Sequence, residues 1–160
     1  MTTFALTSAS PDETRQLAAA LAPLLQPGDV VALSGELGAG KTCFVQGAAQ
    51  GLGVQERVTS PTFVLVKLYE GRLPLVHCDI YRLETLSDVQ QLGDEVLAPD
   101  AVTCIEWGDA VTALLPEDRL EIDLAHTSNG TRTLTVTARG TGWTGRAGAL
   151  AEALAAWRSS

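Results

Sequence analysis

Residues Gly35 to Thr42 read Gly-Glu-Leu-Gly-Ala-Gly-Lys-Thr and match the phosphate-binding pattern G-x-x-x-x-G-K-[ST] at each fixed position. Glycines at these places let the backbone curl so that successive N–H groups point inward at phosphate oxygens. Gly38, Ala39, Gly40, Lys41, Thr42 and Cys43 therefore form a candidate nucleotide cradle. Lys41 reaches β- and γ-phosphate oxygens, and the Thr42 hydroxyl is a candidate Mg²⁺ ligand. The chain has only two lysines, Lys41 and Lys67, and one of them falls in this loop. Without a ligand, Lys41 is expected to face solvent.

Phosphate chemistry also needs carboxylates, for the metal and for an attacking water. Asp79 closes the apolar run Leu75-Val76-His77-Cys78-Asp79, and Glu106 closes Val102-Thr103-Cys104-Ile105-Glu106. In an α/β sheet the carboxyl ends of the strands face the ligand crevice, so both acids point to that crevice. Each is also an ordinary way to end a strand, and the phosphate loop gives the chemical reading its weight. Ser60-Pro61-Thr62 offers a γ-phosphate-sensing segment or a plain proline-led entry to a strand. His77 reads equally as a buried structural imidazole or a chemical group. Trp107 reads first as a core aromatic. Cys78 and Cys104 read as small buried hydrophobes, and no cysteine spacing suggests a metal site.

The elements that must hold these groups can be traced along the chain. Val30 to Leu33 suits a buried strand, and Cys43 to Leu52 a helix whose N-terminus adds positive dipole to the loop. Ser10-Pro11-Asp12-Glu13 starts a helix with a cap, a first-position proline and a capping box. That helix is expected to reach about Leu25, with Pro23 disturbing its last turn. Thr62 to Tyr69 and Leu73 to Asp79 read as strands around a Glu70-Gly71-Arg72 turn. Leu86 to Gly93 reads as a helix and Ala101 to Trp107 as a strand. Leu120 to Leu124 and Thr131 to Ala138 alternate around Ser128-Asn129-Gly130, a hairpin signal. Ala147 to Trp157 reads as a terminal helix. The expected fold is one α/β domain spanning residues 1–160. It is a P-loop NTPase-like three-layer sandwich with a mixed sheet, parallel around the loop and with antiparallel additions.

Composition narrows the partners. The 160 residues carry a net charge of −8, which disfavours non-specific nucleic-acid or anionic-membrane binding. No apolar run approaches the ~20 residues of a transmembrane helix, and no basic, apolar leader opens the chain. A cytoplasmic location is expected.

The ordered set G-E-L-G-A-G-K-T, V-T-S-P-T-F, H-C-D-I-Y-R-L and C-I-E-W resembles the TsaE family of bacterial ATPases. That family serves synthesis of the tRNA modification N6-threonylcarbamoyladenosine, and the likeness runs from about Ser10 to Ala138. It implies ATP or ADP as nucleotide, with Thr42 and Glu106 as Mg²⁺ ligands and Asp79 as the acid required for hydrolysis. It further implies a switch-like role for Ser60 to Thr62, a base site near Pro11 to Thr14, and an arginine matched by Arg132 beside the nucleotide. Glu36 and Cys43 stand where the family often has Asp and Thr. TsaD-like and TsaB-like proteins are the implied partners, with tRNA engaged only through them.

The leading reading is an ATPase that drives a partner's cycle. A GTPase usually carries N-K-x-D, and the only asparagine here is Asn129, followed by Gly130. A small-molecule kinase would want an arginine-rich lid, and the nine arginines are scattered along the chain. A nucleotide-gated binding module with negligible turnover uses the same loop and acids.

Overall fold

A burial pattern of period two opens the chain. Phe4, Leu6 and Ser8 point inward while their neighbours face out, so Thr2–Ser8 is a strand, β1. It precedes the first element expected from sequence, although the Phe-Ala-Leu-Thr-Ser alternation carries its signal. The computed structural model describes residues 1–36, 40–59, 66–79, 98–106, 115–127 and 130–159. The expected helix Leu86 to Gly93 and the first half of the Thr62 to Tyr69 strand lie outside them.

Helix α1 spans Pro11–Leu21. The Ser10 hydroxyl accepts from the Glu13 backbone N–H at 3.1 Å, as the capping signature requires. The helix was expected to reach Leu25, but α-helical bonding stops at Leu21 and a 3₁₀ turn covers Ala22–Leu24. Pro23 brings no N–H and its ring crowds the carbonyl four residues back, so the last turn tightens. Strand β2 is Val30–Gly35, and α2 is Lys41–Gly51. Strands β3 (Val66–Tyr69) and β4 (Leu75–Asp79) form the expected hairpin. β4 starts two residues later than expected, just past Pro74, which has no N–H to give a ladder. β5 is Val102–Glu106, and β6 (Arg119–His126) pairs with β7 (Arg132–Arg139) as the second hairpin.

The seven strands form one mixed sheet in the order β1-β7-β6-β2-β5-β4-β3. β6, β2, β5 and β4 run parallel, with β3 and β7 antiparallel to their neighbours and β1 antiparallel to β7. This is the α/β architecture expected, parallel around the loop strand. Val31, Leu33, Val102, Cys104, Ile122 and Val136 line one sheet face and join Leu17, Leu21, Phe44, Val45 and Ala48 of α1 and α2 in the core. Each fully buried leucine or phenylalanine there stabilises the fold by about 1.5–3 kcal/mol. α1 and α2 cross closely: a Cβ on Gly47 would overlap the Arg15 carbonyl, and one on Gly51 the Ala22 methyl. The two helices are therefore packed backbone to backbone.

The chain closes with α3 (Thr141–Thr144), α4 (Ala147–Ala153) and a 3₁₀ turn, Ala155–Trp157. The terminal helix thus tightens before Trp157. Arg146 pins this segment to the turn before β2. Its guanidinium donates to both Asp29 carboxylate oxygens (2.6 and 3.0 Å) and to the Leu24 carbonyl (2.9 Å). It also stacks 3.7 Å over the Trp143 ring. No helix among the described residues is long and apolar enough to cross a membrane.

Candidate active site

Three parallel strands end side by side at one edge of the sheet. β2 leads into the phosphate loop, β4 ends on Asp79 and β5 on Glu106, with Asp79 and Leu33 both in register with Glu106. Gly40 precedes α2 with φ 108°, a left-handed conformation that glycine adopts without steric penalty. Lys41 and Thr42 then occupy the first turn of α2, where helix N–H groups and the dipole favour an anion.

The Lys41 side chain departs from expectation. It is buried, and its ammonium donates to the carbonyls of Gly35 (2.7 Å) and Glu36 (3.1 Å). An ammonium with a flexible stem finds acceptors in the loop's own first residues, and these satisfy it better than exposure at a crowded helix start.

Thr42 Oγ1 stands 3.5 Å from both carboxylate oxygens of Glu106. Hydroxyl and carboxylate oxygens, two from the protein and the rest from water and phosphate, form the donor set Mg²⁺ prefers, so these residues fit that ion. Among the described residues no three His, Cys, Asp or Glu side chains gather into a metal cage of their own.

Glu106 is buried and its Oε2 is hydrogen-bonded to Nε2 of the fully buried His77. His77 lies in register with Cys104, one pleat behind the Asp79–Glu106 pair, and so reaches Glu106 diagonally on the same face. The imidazole that sequence left open between structural and chemical roles is thus joined to the site carboxylate. The Cys104 thiol is pushed up to about 12, by burial and then by the Glu106 charge. Cys78 is likewise pushed up to about 12, by burial, then by Asp79 and Glu106. Both remain neutral thiols within the sheet, as small buried residues should.

Arg132 opens β7, in register with Ser8 and His126. Its Nε lies 3.9 Å from where a Cβ on Gly40 would stand, so the guanidinium borders the loop. Pro11 is the first residue of α1, one turn ahead of Arg15. Arg15 donates to Gln46 Oε1 at 3.0 Å and approaches Cys43 Sγ at 3.6 Å, setting the two helix starts side by side. Arg15 carries a local signal only for its Asp12 ion pair at 2.8 Å, and Gln46 and Cys43 lie about thirty positions away on another helix. Gly38, Ala39, Ser60, Pro61, Thr62 and Trp107 lie outside the described residues.

Comparison with known proteins decides the family. The model of the threonylcarbamoyl adenosine biosynthesis protein TsaE matches residues 8–134. The chain belongs to the TsaE family. The match takes in Lys41, Thr42, Asp79, Glu106 and Arg132, and ends before the C-terminal segment that Arg146 pins down. Among TsaE relatives, that of Treponema pallidum is 46% identical over 130 residues, 81% of this chain and 96% of the relative. That of Bacillus subtilis is 42% identical over 132 residues, 82% of this chain and 83% of the relative. Both are named as tRNA threonylcarbamoyladenosine biosynthesis proteins. The crystal structure of Bacillus subtilis YdiB superposes with a TM-score of 0.78 at 34% identity, covering 94% of this chain and 95% of that one. TsaE membership and this superposition agree with the α/β, P-loop-like fold seen in the sheet order.

Proposed function

We propose that this chain is a cytoplasmic Mg²⁺-dependent ATPase serving synthesis of N6-threonylcarbamoyladenosine in tRNA. Its nucleotide cycle drives the cycle of a threonylcarbamoyl-transferase assembly of TsaD-like and TsaB-like proteins. The observation that carries this reading is the approach of Thr42 Oγ1 to Glu106 at the mouth of the phosphate loop, in a TsaE-family chain.

The residues divide the work by position. Backbone N–H groups at the start of α2 bind the phosphates. Lys41 exchanges its Gly35 and Glu36 carbonyl acceptors for β- and γ-phosphate oxygens, where it stabilises the charge that develops during transfer. Arg132, bordering Gly40, adds positive charge at the same mouth. Thr42 and Glu106 hold Mg²⁺, which when bound neutralises phosphate charge and orients the nucleotide for in-line attack. Asp79, beside Glu106 on the next strand, orients the attacking water. The net charge of −8 leaves tRNA binding to the partners.

The test is phosphate release from ATP measured with the chain alone, with tRNA alone, and with TsaD-like and TsaB-like partners. Slow turnover alone and strong stimulation by the partners is the expected result. Stimulation by tRNA alone, or a fast basal rate that partners leave unchanged, contradicts the partner-driven cycle. Phosphate transfer to a small acceptor would instead mark a kinase.

A further inference from the structure

We propose that His77 is a positioning residue for the Glu106 carboxylate. Its Nε2–H holds Oε2, so that the carboxylate is presented together with Thr42 Oγ1 to the Mg²⁺ of a bound nucleotide. The inference rests on the reading of Glu106 as a metal ligand and extends that reading to a residue behind it.

A glutamate side chain has three rotatable torsions, and a free carboxylate at a strand end samples several directions. Here one oxygen is tied to a ring with no exposed surface, set inside β4 between β3 and β5. Oε1 and the remaining lone pairs of Oε2 face Thr42, 3.5 Å away. The ring's other nitrogen, Nδ1, is buried with no hydrogen-bond partner among the described residues. A histidine kept only to satisfy a core network would pair both nitrogens. Among the described residues this one has a single polar contact, and it is the site carboxylate. The carboxylate as acceptor places the ring proton on Nε2. Residues that orient metal ligands in this way typically change metal affinity 10–100-fold when removed.

The experiment measures binding of a non-hydrolysable ATP analogue as a function of Mg²⁺, and again in EDTA, for the parent, His77→Leu, His77→Gln and Glu106→Gln. Glutamine places an amide N–H where Nε2 stands, and leucine fills the space without a donor. His77→Leu should raise the Mg²⁺ midpoint about tenfold or more and leave analogue affinity in EDTA unchanged. His77→Gln should bring the midpoint back towards the parent. If His77→Leu fails to fold, His77→Asn, whose amide stops short of Glu106, takes its place with the same expectation. Equal losses with and without Mg²⁺, or no rescue by glutamine, would show a merely structural histidine. If Glu106→Gln shifts the Mg²⁺ midpoint and the donorless His77 variant does not, only the positioning role falls. If Glu106→Gln shifts nothing, the metal reading falls, and the role of His77 with it.

Discussion

Two carboxylates, each held by a nitrogen base, sit at opposite ends of this chain's architecture and are built differently. Asp29 and Arg146 form a closed set: two carboxylate contacts, the backbone carbonyls of Leu24 and Gly142 and an aromatic face occupy the guanidinium. His77 and Glu106 form an open one, with a ring nitrogen unpartnered among the described residues and a carboxylate whose remaining oxygen capacity faces a hydroxyl 3.5 Å away. Low dielectric makes every incomplete buried polar group expensive. A saturated pair therefore belongs where the fold needs a clamp, and an unsaturated one where something else is to bind. One half of the clamp, Arg146, lies beyond residues 8–134 that match the TsaE family, while Asp29 and both members of the open pair lie within them.

The largest effect should come from opening the clamp. Among the described residues Arg146→Ala takes the only guanidinium from the Asp29 carboxylate, which is only 11% exposed and keeps the Gln26 N–H at 2.7 Å, and should lower unfolding free energy by about 3 kcal/mol. Urea denaturation reads this, and Mg·ATP affinity of the folded protein should stay at the parental value. A stable Arg146→Ala variant would erase the contrast from one side.

Glu106→Gln should do the opposite. Glutamine keeps an oxygen for the His77 N–H, so stability should change by less than about 1 kcal/mol. Mg·ATP affinity should fall about tenfold or more, equivalent to about 1.4 kcal/mol. Calorimetric titration with Mg·ATP checks it, and a large loss of stability with normal affinity would reassign Glu106 to the clamp's class.

A separate effect appears only at alkaline pH. In the folded state the Cys78 and Cys104 thiols are pushed up to about 12 from an ordinary value of 9.0. The folded protein then holds protons that the unfolded chain releases. Their contribution is fully present below about pH 9 and is lost as pH rises towards about 12. A Cys78→Ala, Cys104→Ala double variant should lose stability less steeply than the parent between about pH 8 and about pH 10.5 in urea melts. Equal slopes would contradict the burial of these thiols beside the site carboxylates.

Legibility in the sequence followed the range of the interaction. The phosphate loop, the Ser10 cap, both hairpins and the strand-ending acids are written within a few residues of each other, and local sterics and capping decide them. The pairing of Asp79 with Glu106 and the diagonal reach of His77 depend on β4–β5 register, which local pattern does not carry. Asp29 and Arg146 meet across 117 positions, and neither residue signals the other. The alternation of β1 is written locally, but its place at the sheet edge depends on pairing with β7, about 130 positions away. The Lys41 expectation failed because a charged side chain was weighed against solvent alone, when backbone carbonyls of its own loop lay within reach.

The central claim is that the loop at Lys41 binds nucleotide phosphate, and one titration tests it most directly. Mg·ATP should bind the parent chain with one-to-one stoichiometry. For Lys41→Ala the affinity should fall by about tenfold or more, since a charged hydrogen bond to phosphate contributes roughly 1.5–3 kcal/mol. Unchanged affinity in a folded Lys41→Ala variant would contradict the account.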